Sequence, residues 1–217
     1  MPEQSSYSKD RKGKTLVDLW REERALRDQG YQLICGVDEA GAGPLAGAVY
    51  AGAAILPPEL DLPGLDDSKK LTAKTRDRLF DQICAQAVAW AVAWADEGEI
   101  DATDILSARM LAMQRAIDRL SPAAEFALVD GNRDHGKHAC ISTPHQTLVK
   151  GDGRSASIAA ASILAKVSRD RYMVEMGERY PQYGFERHKG YGTKFHYEAL
   201  KKYGPCPIHR RTFLKGL

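Results

Sequence analysis

Four carboxylates stand where short apolar runs give way to glycine. Asp38 and Glu39 close the run containing Leu33, Ile34, Cys35 and Val37, and precede the turn Ala40-Gly41-Ala42-Gly43-Pro44. Asp130 ends the run Phe126-Ala127-Leu128-Val129 and is followed by Gly131-Asn132. Asp152 lies in Lys150-Gly151-Asp152-Gly153, just after the segment from Ile141 to Val149. Apolar runs of this length read as buried strands, and ligands gather at the carboxyl ends of strands in α/β sheets. An acid at the end of a buried strand is costly to leave unpaired. A divalent cation offsets that cost, because hard cations take oxygen ligands. Such a cluster can hold two Mg²⁺ or Mn²⁺ ions, one acidifying a water aimed at phosphorus and the other stabilising the leaving oxygen. For Asp38 and Glu39 taken alone, the plainer alternative is a surface turn with two solvated acids.

Cations and aromatic residues surround this pattern. Lys69 and Lys70 follow Ser68, just before Thr72, a helix N-cap; lysines there suit phosphate contact, and an ordinary solvated helix entrance is the alternative. Tyr180 to Gly192 (YPQYGFERHKGYG) interleaves rings with cations, which suits stacking on sugars or bases beside phosphates. For Tyr183 and Phe185, packing back onto the core competes with that role. Lys166, Arg169 and Arg171 read equally as a solvated helix face or a phosphate track, and His209-Arg210-Arg211 as a further basic cluster. His135 and His138 lack a third ligand type nearby and read as solvated loop residues. Residues 150–217 hold 14 Lys/Arg against 6 Asp/Glu, so a basic C-terminal third joins an acidic body, a distribution that suits a polyanionic partner.

The elements that must position these groups follow from periodicity. Thr15 caps a helix carrying Leu16, Leu19, Trp20 and Leu26, stopped by Gly30. After the first strand, Leu45 to Leu56 reads as a second strand buried on both faces and, across a tight turn, antiparallel to the first. A helix follows Thr72, with Leu79, Phe80 and Ile83 as its apolar positions; Val88 to Trp94 is a third strand; Ile105, Met110, Leu111, Met113, Ile117 and Leu120 mark one face of a further helix. The run to Asp130 is the fourth strand, and a short last strand lies within Ile141 to Val149. Ser155 starts a long helix whose Ala159-Ala160-Ala161 permits close packing on a sheet, and a short helix spans Thr193 to Tyr203. The expected organisation is an N-terminal tail and appended helix over 1–32 and one catalytic domain over 33–217. The 217 residues are 43% hydrophobic, enough for a core, with no run long enough to span a bilayer and no apolar core of a secretory signal at the N-terminus. Four scattered cysteines, Cys35, Cys84, Cys140 and Cys206, argue against a zinc knuckle or disulfide framework and fit a reducing cytoplasm. A monomer is the simplest expectation.

The chain from about Ile34 to its C-terminus resembles the bacterial ribonuclease HII family, the type 2 ribonucleases H. The resemblance rests on GVDEAG at 36–41 with GPLAG at 43–47, LDDSKKL at 65–71, the helix sequence from Ala108 to Ile117, LVDGN at 128–132, VKGD at 149–152, SIAAASILAKVSRD at 157–170, PQYGFERHKGYGT at 181–193 and PIHRR at 207–211. It implies an α/β ribonuclease H-like fold, a mixed central sheet flanked by helices with a C-terminal helical segment. It implies cleavage of RNA in RNA–DNA hybrids and 5′ to ribonucleotides embedded in duplex DNA, leaving 3′-hydroxyl and 5′-phosphate ends. The family's four metal-site acids then correspond to Asp38, Glu39, Asp130 and Asp152, its junction-sensing tyrosine to Tyr191, and its phosphate-contacting lysines to Lys69 and Lys70.

One departure stands out. Where the family pattern is Gly-Arg-Gly, this chain has Gly41-Ala42-Gly43. In the family that this chain resembles, the tripeptide reads the ribonucleotide and its 2′-hydroxyl largely through backbone groups, which alanine would keep, while the multi-donor guanidinium is lost. Ala48 and Gly52 also depart from the usual strand sequence. The expectation is that metal binding survives and recognition of a lone ribonucleotide weakens. Two other functions fit the same residues less well: a hybrid-binding protein with impaired chemistry, and a different two-metal phosphoryl transferase on the same fold.

Overall fold

The computed structural model describes residues 18–65, 68 and 71–216. Its elements run α1 (Arg21–Arg27), β1 (Ile34–Ala40), β2 (Val49–Ile55), α2 (Ala73–Gln86), β3 (Ala89–Ala95), α3 (Glu97–Ala102), α4 (Ile105–Asp118), β4 (Phe126–Asp130), β5 (His145–Leu148), α5 (Ala156–Arg179), α6 (Phe185–His188) and α7 (Lys194–Tyr203). The five strands form one sheet in the order β3-β2-β1-β4-β5. β1 pairs antiparallel with β2 and parallel with β4, so the sheet is mixed. This is the expected α/β ribonuclease H-like arrangement, with β1 at its centre.

Helices cover both faces. α4 packs on one, where Met110, Met113 and Ala116 meet Val37, Ala51, Ala53 and Val129. α5 and α2 cover the other, where Ile163 and Leu164 join Leu79, Ile83 and Ala54. α5 lies unusually close to the sheet. A Cβ on Gly36 would sit 2.0 Å from the Ser157 carbonyl carbon, and one on Gly52 would sit 2.3 Å from the Ala161 oxygen. Gly52 is therefore required by helix-to-sheet contact, which accounts for the small-residue character of β2.

Local capping follows the sequence signals. The Thr72, Ser155 and Thr193 side chains cap α2, α5 and α7. α1 packs through Leu26 onto Ile34, Leu128 and Ile158, and buried Glu23 accepts hydrogen bonds from the Ser155 and Ser157 hydroxyls and the Ser157 amide at the start of α5. The expected cap at Thr15 and the contact of Leu16 lie outside the described residues.

Several boundaries differ from expectation. β1 continues through both acids to Ala40, because Asp38 to Ala40 keep their pairing with Tyr50 to Gly52. β2 starts at Val49 rather than Leu45; the connection from β1 is a folded loop rather than a tight turn, with Leu45 bonded to Gly190 and Gly47 to Ile208. The last strand is confined to His145–Leu148, and α3 was not foreseen in the sequence, although Asp96 and Glu99 form a capping box at its start.

Candidate active site

Strand periodicity decides how the first two acids are used. Successive side chains on β1 point to opposite faces. Asp38 shares a face with Ile34 and Gly36 and meets α5; Glu39 shares the face of Cys35 and Val37 and meets α4. Asp38 is buried, accepts the Glu39 amide at 2.7 Å and is hydrogen-bonded to the Ser162 hydroxyl of α5. The Ser162 and Ser68 hydroxyls lie 2.7 Å apart. Glu39 Oε1 pairs with Arg109 of α4 at 2.8 Å, while Glu39 Oε2 and Arg109 Nε are buried without hydrogen-bond partners. Asp130 accepts the Gly151 amide at 2.7 Å. Asp152 is buried on the 3₁₀ turn Gly151–Gly153, so it sits on a turn beyond β5 rather than at the strand's end.

Both β1 acids open into one cleft of about 300 Å³, walled by Gly41, Ala42, Gly43, Ser68, Ser162, Lys166, Arg169 and Tyr191. Burial raises the Asp38 pKa well above its ordinary value, and the charges of Glu39 and then Asp130 add to the rise. Negative charge is thus crowded where it is poorly solvated. Among the described residues, no group of three or more His, Cys, Asp or Glu side chains is arranged to hold a metal ion. An open site suits Mg²⁺, which binds through one or two carboxylates and keeps waters or substrate phosphates as its other ligands. The donor set is all-oxygen, Glu39 Oε2 lacks a partner, and the mutual repulsion at Asp38 is the kind a cation relieves, so the residues fit a divalent ion.

The glycine turn is held from behind by two buried guanidinium groups. Arg210 donates to Gly41 O at 2.6 Å, Ala42 O at 2.9 Å and Gly47 O at 2.6 and 2.9 Å. Arg169 donates to the carbonyls of Ala46, Ala48 and Lys189 at 3.1–3.2 Å. Neither belongs to an ion pair among the described residues. Gly41 has φ of 94°, and a Cβ there would lie 1.9 Å from Arg169 Nε, so both backbone and contact require glycine. Arg169, His209 and Arg210 are therefore buried, which corrects their reading as a solvated face, phosphate track or basic cluster. Arg171 is exposed and pairs with Asp77, and Arg211 is exposed.

Of the sequence-selected residues, the cleft brings together Asp38, Glu39, Gly41, Ala42, Gly43 and half-exposed Tyr191. Asp130 reaches this group through its charge on Asp38. Lys69 and Lys70 lie outside the described residues, although neighbouring Ser68 is in the wall. Tyr183 and Phe185 are stacked in the core, the alternative to substrate stacking. His135 is exposed beside Asp134. Ser162 and Arg109 carry no site reading from the sequence, and Lys166, read as a solvated face or a phosphate track, lines the cleft. Ser162 and Lys166 are four apart on α5 and so share the face toward the cleft, with Lys166 steadied by Asp170 at 2.7 Å.

Arg109 places a cation against Glu39 where a metal would bind. Arg109→Gln is expected to lower the Mn²⁺ concentration that gives half of the thermal stabilisation, by about threefold or more. Thermal melts across a Mn²⁺ titration test this, and an unchanged midpoint concentration would refute it.

The family model described as Ribonuclease HII matches residues 35–215. A ribonuclease HII from Syntrophotalea carbinolica is 52% identical over 191 residues, 88% of this chain and 90% of that protein. One from Caldicellulosiruptor bescii is 50% identical over 195 residues, 90% of this chain and 93% of its own length. The solved ribonuclease H2 of Pyrococcus horikoshii OT3 superposes with a TM-score of 0.69 at 27% identity, covering 83% of this chain and 93% of that one. With sequence identity of this extent over an acid-lined cleft on the matching fold, the chain belongs to the ribonuclease HII family and is a ribonuclease H.

Proposed function

We propose that this enzyme hydrolyses the RNA strand of RNA–DNA hybrids and cuts 5′ to ribonucleotides embedded in duplex DNA. The observation that carries the reading is the single cleft in which Asp38 and Glu39 meet the Gly41–Gly43 turn and Tyr191. Asp38, Glu39, Asp130 and Asp152 are the residues that would hold two Mg²⁺ or Mn²⁺ ions. Bound there, the ions supply Lewis acidity, acidifying the attacking water and offsetting charge on the leaving oxygen. Water oxygen bonds to phosphorus as the P–O3′ bond breaks, leaving a 3′-hydroxyl and a 5′-phosphate.

The remaining roles belong to positioning. The turn presents its amides to the ribose, where the 2′-hydroxyl distinguishes RNA from DNA, because Arg210 draws the Gly41 and Ala42 carbonyls inward. Tyr191 stacks on the sugar beside the ribonucleotide. Lys166, with Lys69 and Lys70, contacts the phosphate backbone. A monomer working in the cytoplasm suffices for this role, and no helix among the described residues is long and apolar enough to cross a membrane.

The test is cleavage of a DNA duplex carrying one ribonucleotide, an uninterrupted hybrid and an all-DNA duplex, each with Mn²⁺, Mg²⁺ or EDTA. Metal-dependent cutting on the 5′ side of the ribonucleotide is expected; cutting of all-DNA duplex, or hybrid binding without any cutting, would overturn the reading. Ala42 lies in the cleft wall, with the Cβ direction of Gly43 opening 3.7 Å from the Tyr191 ring. Ala42→Arg should therefore raise kcat/KM on the single-ribonucleotide duplex about tenfold, one charge-assisted contact's worth, and change hybrid cleavage less. Equal effects on both substrates would refute a role in junction reading.

A further inference from the structure

Beneath Tyr191 lies a cluster of imidazoles that the chemistry above does not use. His196 and His209 are fully buried. Their Nε2 atoms are 3.0 Å apart, so one must donate and the other accept. His196 Nδ1 lies 2.9 Å from the Tyr191 carbonyl oxygen, which can only accept, so Nδ1 carries the proton and neutral His196 accepts at Nε2. His209 must then donate from Nε2 and accept at Nδ1. The Cys206 amide is 2.9 Å from that Nδ1, nearer than the Cys206 carbonyl at 3.3 Å, which already receives the His209 amide. All three links agree on one direction, Cys206 N–H to His209, His209 to His196, His196 to Tyr191 O.

A third imidazole completes the loop. His188 Nδ1 accepts the Gly190 amide at 3.2 Å, so its Nε2–H donates to the Tyr183 carbonyl at 2.7 Å. Its ring stacks on His196 with centroids 4.6 Å apart. Burial lowers the pKa of His196 and of His209, the latter to about 4, in keeping with neutral rings at pH 7. The segment carrying Tyr191 thus has one carbonyl and one amide held by histidines of fixed tautomer, while the Tyr191 ring itself is half exposed in the cleft.

We propose that His209 and His196 form a directional hydrogen-bond relay, with His188 stacked against it, that positions Tyr191 for substrate. They are positioning residues, and the inference rests on the reading of Tyr191 as a substrate contact. A relay acting through Tyr191 makes a distinctive prediction, because coupled residues fail to add in a double-mutant cycle.

The experiment measures kcat/KM on the single-ribonucleotide duplex for wild type, His209→Leu, Tyr191→Ala and the double variant, with His209→Gln as the conservative variant that keeps a terminal N–H donor. His209→Leu is expected to lose about tenfold to a hundredfold, His209→Gln to recover most of it, and the double variant to match Tyr191→Ala. Additive losses would assign His209 a merely structural role and overturn the relay. Should Tyr191→Ala alone cleave like wild type, the reading of Tyr191 fails, and the relay with it. Nitrogen-15 NMR of the wild-type histidines decides the geometry independently of any variant's folding. It should show His196 protonated at Nδ1 and His188 and His209 at Nε2 at pH 7; any other tautomer set overturns the proposal.

Discussion

Asp38→Asn is expected to lower cleavage of the single-ribonucleotide duplex by about a thousandfold while leaving the fold intact. The amide keeps the shape and can still accept from the Glu39 amide, so that local bond survives. What disappears is one buried negative charge. In the wild type that charge is opposed by burial and by Glu39 and Asp130, which hold the folded-state pKa above the unfolded value of 3.8. The sign of the linkage follows: without cations, the folded chain holds the Asp38 proton more tightly, so this group's contribution falls as pH rises from about 4 through the raised pKa. In EDTA at neutral pH, Asp38→Asn should therefore melt no lower than wild type. Added Mn²⁺ should raise the wild-type melting temperature, as expected of a cation that binds only the native state, and raise the variant's much less. Cleavage within tenfold of wild type would refute the role of Asp38, and an equal Mn²⁺ shift in both proteins would remove it from the metal site.

Arg210→Ala should cost about 3–5 kcal/mol of folding stability, read from urea unfolding. The guanidinium satisfies the buried carbonyls of Gly41 and Gly47 and the partly buried carbonyl of Ala42, and lies over the Phe213 ring. Truncation leaves those oxygens without donors and opens a void behind the turn. Part of the loss is returned, because burial and the adjacent Arg169 charge make the cation itself unfavourable and lower its pKa. The neighbouring Arg211 is the control: its side chain is exposed, and Arg211→Ala keeps the backbone amide that bonds Asp101. That substitution should stay within about 0.5 kcal/mol. Equal losses for the two arginines would show that the turn does not depend on Arg210. Arg210→Lys should recover part of the stability, since one ammonium cannot span carbonyls placed for a planar fork.

Two oppositely signed pH effects thus coexist in the chain. Asp38 loses favour as pH rises, whereas His209, with its pKa lowered to about 4 by burial, loses favour as pH falls from its ordinary value near 6.5. Both identify groups held in an environment that suits their neutral form, one opening to the cleft and one supporting the loop beside it.

Much of this arrangement was legible before the fold was known. Hydrophobic period and capping residues located the strands and helices, because each depends on neighbours a few residues away: Thr72, Ser155 and Thr193 cap helices through amides three positions on. The motifs also selected Asp38, Glu39, the glycine turn and Tyr191, which share the cleft, whereas Asp130 and Asp152 do not line it. Charge type, by contrast, does not say where a charge points. Arg169 reads as a solvated face or a phosphate track and Arg210 as part of a basic cluster, yet both are buried, because backbone carbonyls from the 41–48 loop, more than 120 residues away in sequence, satisfy their guanidinium groups. Asp38 and Glu39 are adjacent in sequence, but the period of the strand sends one to Ser162 on α5 and the other to Arg109 on α4. The family was therefore legible in local residue order. The partners that tune each charged group were decided only when distant helices packed against the sheet, because burial and hydrogen bonding are properties of the assembled fold.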